Sequence, residues 1–278
     1  MGLRKYKSPA DRGTKAGQAR ILFLDIETAP IAANVWRIWQ ENVGLNQIDK
    51  DWHILSYGAK WLGVDGVLYE DQSKAVNIED DSALLAKLWK LLDEADIVVA
   101  HNGRRFDIKK INARMIFAGM KPPSPFKVVD TLEIAKTNFA FTSNRLEYLA
   151  DKLNSKYKKK SHSDYPGFLL WRGVLDGDKK AWAAMREYNE YDVLALEELY
   201  LLLRPWDRRH PNVDVYDDDH EEHACPVCGS YHVERRGFTY TNSGKYQRYR
   251  CMEDSCGAWS RSRYTMNATA KRKATLTA

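Results

Sequence analysis

The sequence predicts an α/β fold, in which a mixed five-stranded sheet is flanked by helices, followed by a small second domain. Apolar runs with the length of buried strands alternate, after an initial group of three, with segments of helical periodicity. Acidic residues follow two of these runs, at the strand ends where α/β sheets bind ligands. All four cysteines lie in the last quarter of the chain, in two closely spaced pairs.

Three consecutive strands are predicted to begin the sheet. Residues 21–25 form an apolar run that ends in a carboxylate, and residues 53–61 and 66–70 form two further strands. The last two strands are separated by a turn at residues 63–66, which begins and ends in glycine. Such a turn predicts a β-hairpin.

Helices and strands alternate after this group. Residues 82–94 carry leucines at the spacing of one helix face, and residues 97–100 form a fully apolar strand. A second helix is predicted at residues 108–118, ending at Gly119, before a strand at residues 127–129. These two strands complete the predicted five.

Capping residues and periodicity predict the remaining helices. Asn144 followed three residues later by Glu147 predicts a helix start. Helical periodicity extends over residues 179–203. Asp130 follows the last predicted strand, and a helix-capping role is favoured over a catalytic one.

Asp25 and Glu27 are spaced two residues apart at the end of the first predicted strand. Because a strand alternates faces with period two, both carboxylates point the same way. Like charges held side by side resist ionisation unless a cation lies between them. Mg²⁺ and Mn²⁺ prefer oxygen ligands and are the usual cations in such sites. A solvated strand end is the alternative interpretation.

A third carboxylate, Asp107, follows the apolar strand at residues 97–100 and a polar turn. This position near the carboxyl end of a strand is where open α/β sheets bind ligands. The structural alternative is that Asp107 stabilises the first turn of the next helix through the helix dipole.

Tyr188 and Asp192 lie within the long helix predicted at residues 179–203. Their spacing of four residues places them one turn apart on the same helix face. A phenol and a carboxylate so placed can hold a water molecule between a metal ion and a substrate. Long helices produce this spacing by chance, so the pair alone is weak evidence for a functional site. It becomes stronger evidence because it follows the two earlier acidic motifs in order.

Asp25, Glu27, Asp107 and Asp192, called here the acidic quartet, together with Tyr188 resemble the DEDD exonuclease superfamily in its tyrosine-bearing branch. That branch includes the proofreading domains of family A and family B DNA polymerases. The resemblance covers residues 21–205 and implies a ribonuclease H-like fold. The matching motifs are Asp25-Ile26-Glu27-Thr28, Asn102-x-x-x-Phe106-Asp107 and Tyr188-x-x-x-Asp192. No member of the quartet is replaced, so an active enzyme is expected.

The resemblance implies two Mg²⁺ or Mn²⁺ ions that support phosphodiester hydrolysis and the release of nucleoside 5′-monophosphates from a 3′ end. Asp25 would bridge both ions. Glu27 and Asp192 would complete the site of the water-activating ion, and Asp107 would serve the second ion. Tyr188 would orient the attacking water, since a phenol is a poor base at neutral pH.

Candidate substrate contacts are Asn102, Lys158, Lys159 and Lys160. Asn102 lies in the turn before the second helix, where hydrogen bonding to the backbone is an equal alternative. The three lysines belong to a basic stretch that precedes the third motif. Each phosphate that they neutralise would release condensed counterions. A solvated surface loop accounts for the lysines equally well.

The four cysteines form two pairs, Cys225 with Cys228 and Cys251 with Cys256. Two apparent strands, residues 231–235 and 246–250, lie between the pairs, and the segment resembles a zinc ribbon with one structural Zn²⁺. Two disulfides are the alternative. The first twenty residues lack the apolar core of a secretory signal, and a reducing cytoplasm favours zinc. A segment this small is expected to need the metal to fold.

Basic residues surround these cysteines in the sequence: Arg235, Arg236, Lys245, Arg248, Arg250, Arg261 and Arg263. They either offset the negative charge of a zinc ion bound by four thiolates or contact a nucleic-acid backbone. The second interpretation, a nucleic-acid-binding accessory domain, is favoured.

The expected domain organisation has five parts. They are a flexible basic arm at residues 1–20, the exonuclease domain at 21–205, an acidic linker at 206–223, the zinc ribbon at 224–266 and a flexible tail at 267–278. The acidic linker makes the net charge of +5 an underestimate of how basic the working surfaces are. No apolar stretch has the length of a membrane span, so a cytoplasmic location is expected, in the host cytoplasm if the protein is phage-encoded.

The leading interpretation is a free-standing, metal-dependent 3′–5′ exonuclease that prefers the 3′ ends of single-stranded DNA. Proofreading would require a separately encoded DNA polymerase or another replication protein as partner. The combination of a nuclease with a terminal zinc ribbon resembles stand-alone exonucleases encoded by bacteriophages.

Three alternatives compete with this interpretation. An RNA-processing or RNA-degrading exonuclease stays open, because the sequence offers no evident reader of the ribose 2′-hydroxyl. The Asp-x-Glu motif and the Tyr188–Asp192 pair argue against a transposase-type strand-transfer enzyme. The complete acidic quartet argues against a non-catalytic nucleic-acid-binding adaptor.

Overall fold

The computed structural model of the protein describes residues 18–39, 42–153, 156–157, 165–217 and 221–277. The chain divides into two compact units. The larger unit contains Arg20–Lys136 and Ala140–Leu199, and the smaller unit contains Thr137–Phe139 and Tyr200–Ala278. No helix in the described ranges combines the length and the apolar character needed to cross a membrane.

The elements before the cysteine-containing segment are, in chain order, β1 (Ile21–Thr28), β2 (Ala32–Ala33), β3 (Ile48–Lys50), β4 (Ile54–Trp61), β5 (Leu68–Asp71), α1 (Ser82–Glu94), β6 (Ile97–Ala100), α2 (Asp107–Phe117), β7 (Lys127–Asp130), α3 (Thr131–Asn138), α4 (Leu146–Lys152), α5 (Leu169–Leu175) and α6 (Lys179–Leu203). The main sheet has five strands in the order β5-β4-β1-β6-β7. Strand β1 pairs antiparallel with β4 and parallel with β6. The predicted mixed five-stranded sheet with flanking helices is therefore confirmed.

The central position of β1 follows from its composition. The run Ile21–Leu24 is almost completely buried, as is the whole of β6. Strands buried on both faces are expected to be continuously apolar rather than alternating. Helix α1 covers part of the sheet with four buried leucines, Leu84, Leu85, Leu88 and Leu92. Each fully buried leucine contributes about 1.5–3 kcal/mol relative to an exposed one, so the strand end that carries the first acidic motif is firmly held.

Most predicted elements have the expected bounds, and one predicted cap is wrong. The predicted ranges of α1 and α6 match the observed ones. Helix α4 begins one residue later than Asn144 predicts, because Arg145 takes the N-cap position without a side-chain cap. The backbone carbonyl of Asn144 instead contacts the ring of His101, with its Nε2 at 2.9 Å. The short helix α5 was not predicted.

Asp130 caps a helix, as predicted, and it also holds a neighbouring loop. Its Oδ1 atom accepts hydrogen bonds from the backbone nitrogen of Leu132 in the first turn of α3 (3.0 Å) and from that of Asn102 (2.9 Å). Its Oδ2 atom accepts one from the backbone nitrogen of Arg104, at 3.1 Å. Buried carboxylates require such partners. The loop between β6 and α2 is thereby fixed by a residue from the next strand.

The smaller unit contains a three-stranded antiparallel sheet in the order β10-β9-β8. Its strands are β8 (Val233–Thr241), β9 (Gly244–Cys251) and β10 (Trp259–Thr265), followed by the short helix α7 (Thr269–Ala274). Strand β9 includes the strand predicted at residues 246–250, whereas β8 begins two residues later than the strand predicted at 231–235 and extends to Thr241. Strand β10 and helix α7 were not predicted. Cys225 and Cys251 are buried together with Val227 and Ala258 in a small cluster. The expected small carboxyl-terminal sheet with a four-cysteine cluster is confirmed.

Candidate active site and cysteine cluster

Strand β1 delivers the first acidic motif from the middle of the main sheet. Asp25 and Glu27 are both half-buried, and the pleat of the strand turns them to the same face. Asp25 is paired across the antiparallel ladder with Gly58 of β4. The apolar residues before Asp25 bury the strand, and the two carboxylates begin where that apolar run ends.

Asp107 is the first residue of α2 and is buried, with 3% of its surface exposed. Its Oδ1 atom accepts a hydrogen bond from the backbone nitrogen of Ile26, at 3.2 Å. Because Ile26 lies between Asp25 and Glu27, this bond ties the second motif directly to the first. Asp107 therefore lies in the first turn of α2, where the structural alternative places it, and it also lies beside the other acids.

The third motif lies on α6, with Tyr188 half-buried beside the acids. The Tyr188 hydroxyl donates a hydrogen bond to Asp192, and the charges of Glu27 and Asp25 also act on it. The Tyr188 ring meets the Trp171 ring of α5 edge-on, with their centroids 6.4 Å apart. All three sequence motifs therefore reach the same region of the larger unit.

Electrostatic interactions within this region are strong. Burial raises the pKa of Asp25 well above its ordinary value, and repulsion from the other three members of the acidic quartet raises it further. A hydrogen bond from Asn189 opposes this increase. Burial also raises the pKa of Asp107 to about 7, against the effect of backbone hydrogen bonds, including the one from Ile26. Converging carboxylates of this kind can ionise together when a cation lies between them.

The donor set of the acidic quartet fits hard divalent cations, because all of its side-chain ligand atoms are carboxylate oxygens. The charges of Glu27, Asp107 and Asp192 all act on the Asp25 carboxylate. Within the described ranges, the carboxylates do not reach the close spacing of the cysteine cluster, in which all ligand atoms lie within 4.8 Å of one another.

Asn189 belongs to the site and was missed by the sequence reasoning. Its side chain is fully buried, and its amide nitrogen donates a hydrogen bond to the Asp25 carboxylate. The signal was a polar residue inside an apolar helical stripe formed by Met185, Val193 and Leu196, which are all buried. A buried amide in such a stripe needs a polar partner.

Close packing of α6 on β4 brings Asn189 to Asp25. A Cβ atom added to Gly58 would lie 2.9 Å from Cγ2 of Val193 and 3.2 Å from the carbonyl oxygen of Asn189. Only glycine permits this approach. The ion pair between Lys60 of β4 and Glu197 of α6, with an N···O distance of 2.7 Å, fastens the same two elements further along.

The candidate substrate contacts are only partly described. Asn102 lies in the loop between β6 and α2 with a φ of 70°, in the left-handed region that asparagine tolerates better than most residues. Its carbonyl oxygen accepts hydrogen bonds from the backbone nitrogens of Arg105 (3.1 Å) and Phe106 (3.0 Å). The positive φ thus favours asparagine at this position. Lys158, Lys159 and Lys160 lie outside the described residues.

A mostly apolar pocket of about 530 Å³ begins beside the first acidic motif. It is lined by Thr28, Ala29, Pro30, Ile31, Trp52, Lys110, Phe168 and Trp171. Thr28 directly follows Glu27, and Trp171 also contacts Tyr188. The Lys110 ammonium lies 3.7 Å from the centre of the Trp52 ring. The pocket therefore offers aromatic faces and a cation next to the carboxylates.

The four cysteines form a single cluster in the smaller unit. The sulfur atoms of Cys225 and Cys256 are 3.8 Å apart, and those of Cys228 and Cys251 are 3.6 Å apart. No disulfide joins any two of the four. Sulfur atoms about 3.8 Å apart form the edges of a tetrahedron around zinc with Zn–S bonds of about 2.3 Å, whereas a disulfide needs about 2.05 Å. The cluster therefore suggests a zinc site built from both predicted pairs.

Comparisons with known proteins agree with this architecture. The family model of the RNase_H superfamily matches residues 22–204, which include the acidic quartet and Tyr188. DNA polymerase III PolC-type from Ureaplasma parvum serovar 3 (strain ATCC 700970) is 35% identical over 104 residues, which are 36% of this chain and 7% of that protein.

A solved structure is also similar, at low sequence identity. The family B DNA polymerase from the hyperthermophilic archaeon Pyrobaculum calidifontis matches with a TM-score of 0.46 and 14% identity, over 67% of this chain and 25% of that chain. The chain thus spans only a small part of either polymerase.

Proposed function

The chain belongs to the RNase_H superfamily, and on that premise we propose that it is a metal-dependent 3′–5′ exonuclease of the tyrosine-bearing DEDD branch. Its substrate is the 3′ end of single-stranded DNA, and its products are nucleoside 5′-monophosphates. The observation that carries the proposal is the convergence of the three motifs. Asp107 accepts a hydrogen bond from the backbone nitrogen of Ile26, and Asn189, next to Tyr188 on α6, donates one to Asp25.

Two Mg²⁺ or Mn²⁺ ions, when bound, supply charge neutralisation and an acidified water molecule. Asp25 would hold both ions, which agrees with the effect of the other three acids on its charge. Glu27 and Asp192 would complete one ion site, and Asp107 would serve the other. Cations bound beside the Asp25 carboxylate would keep it ionised despite the burial that raises its pKa.

Tyr188 orients the attacking water and does not remove its proton. Burial, followed by the charges of Asp192 and Glu27, raises the pKa of Tyr188 far above its ordinary value. A phenol with a raised pKa is protonated at neutral pH, so it can donate a hydrogen bond. Its edge-on contact with Trp171 fixes the ring, so that the hydroxyl keeps its direction.

The pocket beside Thr28 supports a nucleic-acid substrate with an unpaired end. Aromatic side chains such as Trp52 and Trp171 line it, and such rings stack on bases of any sequence. A base can reach such a pocket only when it is separated from its complementary strand. The similarity to DNA polymerase III PolC-type supports DNA as the substrate. The boundaries at residues 21–205 for the nuclease and 224–266 for the zinc ribbon are part of the proposal.

The test is incubation of the purified full chain with 5′-labelled single-stranded DNA, duplex DNA and RNA, each with Mg²⁺, Mn²⁺ or a chelator. A ladder that shortens from the 3′ end of single-stranded DNA, and that requires the metal, is expected. Shortening of RNA alone would replace the DNA substrate by RNA. Internal cuts, strand joining or binding without cleavage would overturn the exonuclease assignment.

Variants connect this activity to the site. Asp25→Ala and Asp192→Asn should abolish cleavage while the protein still binds DNA. Asp65→Ala, in the exposed turn between β4 and β5, is the matched control that should cleave normally. Full cleavage by Asp25→Ala would exclude this active site.

A further inference from the structure

The sheet of the smaller unit carries a concentration of positive charge. Strands β8, β9 and β10 contain seven arginine and lysine residues but one acidic residue, Glu234. Glu234 is paired with Arg236, at an N···O distance of 2.7 Å. The sheet therefore presents a strong positive potential to a polyanion.

The register of the strands collects part of this charge on one face. Trp259 of β10 is paired with Arg250 of β9, and Arg261 with Arg248. Directly paired residues share a face, and residues two apart on a strand do so as well. The resulting set is called here the arginine–aromatic face, and its members are Tyr246, Arg248, Arg250, Trp259 and Arg261.

The guanidinium groups of this face lie against aromatic rings. Arg248 and Arg250 lie 4.5 and 5.8 Å from the centre of the Trp259 ring. Arg261 lies 4.1 Å from the centre of the Tyr246 ring. Among the residues that the structure describes, none of these arginines forms an ion pair with a carboxylate. Their positive charge is therefore available to bind an anion. The aromatic rings already orient the planes of the guanidinium groups.

The face is separate from the cysteine cluster. Cys251 follows Arg250 directly in β9, so its side chain points to the opposite face of the sheet. On that opposite face, Tyr249 is buried and packs edge-on against His223, with ring centroids 4.8 Å apart. The arginines of the arginine–aromatic face lie on the other side of the sheet from Cys251, so their position is not explained by the charge of the thiolates. On this face Trp259 is 52% exposed.

We propose that the arginine–aromatic face is a binding surface for single-stranded DNA, distinct from the acidic quartet. Arginines arranged along two strands complement the phosphate charges, and each neutralised phosphate releases counterions. Exposed Trp259 and the ordered guanidinium planes offer stacking surfaces that only unpaired bases can use. The inference rests on the proposed function only for the choice of DNA as the nucleic acid. The surface would hold a strand while its 3′ end is shortened.

Binding of a fluorescein-labelled oligothymidylate to the full chain, without added Mg²⁺ or Mn²⁺, tests the surface. Trp259→Ala should weaken binding about tenfold, the usual cost of removing one stacking platform. The double variant Arg250→Gln/Arg261→Gln should lower the slope of log affinity against log salt by about 0.7 for each phosphate that is no longer neutralised. Arg235→Gln is the matched control, because Arg235 is paired with Tyr249 on the opposite face.

Zinc content and circular dichroism establish that each variant is folded, and Trp259→Phe, which keeps a stacking ring, should bind better than Trp259→Ala. If Trp259→Ala loses zinc, the arginine pair decides the question. Unchanged binding by the folded variants, equal loss in Arg235→Gln, or equal affinity for polyglutamate would overturn the proposal. Cleavage of a trinucleotide is measured in parallel. Wild-type protein that binds through this face without cleaving would refute the exonuclease and leave the surface standing.

Discussion

The buried side-chain amide of Asn189 donates a hydrogen bond to the carboxylate of Asp25. This bond links α6 to the end of β1, and it is the interaction that lowers the pKa of Asp25 while burial and three neighbouring acids raise it. Asn189 therefore positions the carboxylate and favours its ionised form, which is the form that binds metal.

Asn189→Ala should reduce metal affinity and cleavage by about 10–100-fold, as is usual for partners of metal ligands. Because the Asp25 pKa rises when this bond is removed, the acid limb of the pH–activity profile should move to higher pH. A merely structural role would lower activity without moving the limb. An unshifted profile, measured in a variant with normal thermal stability, would therefore contradict the positioning role.

Gly58→Ala should destabilise the protein and reduce cleavage together. The added Cβ would lie 2.9 Å from Cγ2 of Val193, so α6 must move away from β4. Overpacking of this kind costs about 1–3 kcal/mol of the free energy of unfolding, measured by chemical denaturation.

Gly63→Ala is the control for this effect. Its Cβ would meet no atom within 4 Å, although its φ of +76° is strained for alanine. It should lower stability through that strain and leave cleavage intact. Equal loss of activity in both variants would show that close packing at Gly58 has no special role.

Tyr188→Phe should slow cleavage less than substitution of an acid does. The phenyl ring keeps the contact with Trp171, so the thermal stability should be unchanged. Loss of the hydroxyl removes the hydrogen bond that orients the water, and a decrease of about 10²-fold is the expected scale for a misplaced reactant. Single-turnover rates with saturating Mn²⁺ are the measurement. Loss as complete as in Asp25→Ala would instead indicate that Tyr188 is indispensable to the chemistry.

Without added Mg²⁺ or Mn²⁺, the free energy of unfolding should fall as pH rises. The pKa of Asp107 is raised to about 7, above an unfolded value of about 3.9, and that of Asp25 is raised as well. Such groups stabilise the folded protein fully below the unfolded pKa, and this contribution is lost as pH rises through the folded pKa. A tenfold difference in proton affinity between the folded and unfolded states corresponds to about 1.4 kcal/mol.

Urea titrations at pH 5 and pH 8 measure this dependence. Asp107→Asn keeps the oxygen that accepts the hydrogen bond from Ile26 and removes the charge, so its stability should depend less on pH. Adding Mn²⁺ should restore more stability at pH 8 than at pH 5, because metal competes with protons for the carboxylates. A pH dependence identical in wild type and Asp107→Asn would show that the pKa of Asp107 is not raised in the folded protein.

Elemental analysis should find about one zinc ion per chain, since four cysteines make one closed tetrahedral site. Cys251→Ser should lose the zinc and disorder the small sheet, because Cys251 is buried at the end of its central strand. Asp25→Ala should retain the zinc and serves as control. Zinc-free protein with disulfide-bonded cysteines would contradict the site.

Regular periodicity made much of the fold predictable. The leucines of α1 and the apolar stripe of α6 predicted the observed ends of both helices, because apolar residues on a buried helix face recur every three or four positions. Strand β10 was missed because residues 260–263 alternate serine and arginine, with no apolar residue between Trp259 and Tyr264. The alternation marks an exposed strand that is held by pairing and by the cysteine cluster.

The candidate site was predictable where its residues carry charge and was not predictable where packing decides. Asp25, Glu27 and Asp107 were candidates because they follow apolar strand runs, and Asp192 was a candidate because it lies one helix turn from Tyr188. Asn189 could not be assigned to Asp25, because their contact joins positions 164 residues apart. The contact between Asn189 and Asp25 also depends on Gly58, which allows α6 to pack closely on β4. This role becomes apparent only from the packing of helix on strand.

Asp130 has a consequence for how mutational screens of this protein should be interpreted. Its carboxylate holds amides of two segments, one of which leads to Asp107. A screen for inactive clones should recover Asp130 beside the proposed metal ligands, since loss of this anchor should disorder the loop. Loss of activity alone would thus assign a catalytic role to Asp130. Only a direct titration with Mn²⁺ would distinguish a variant with a disordered loop from a variant that lacks a metal ligand.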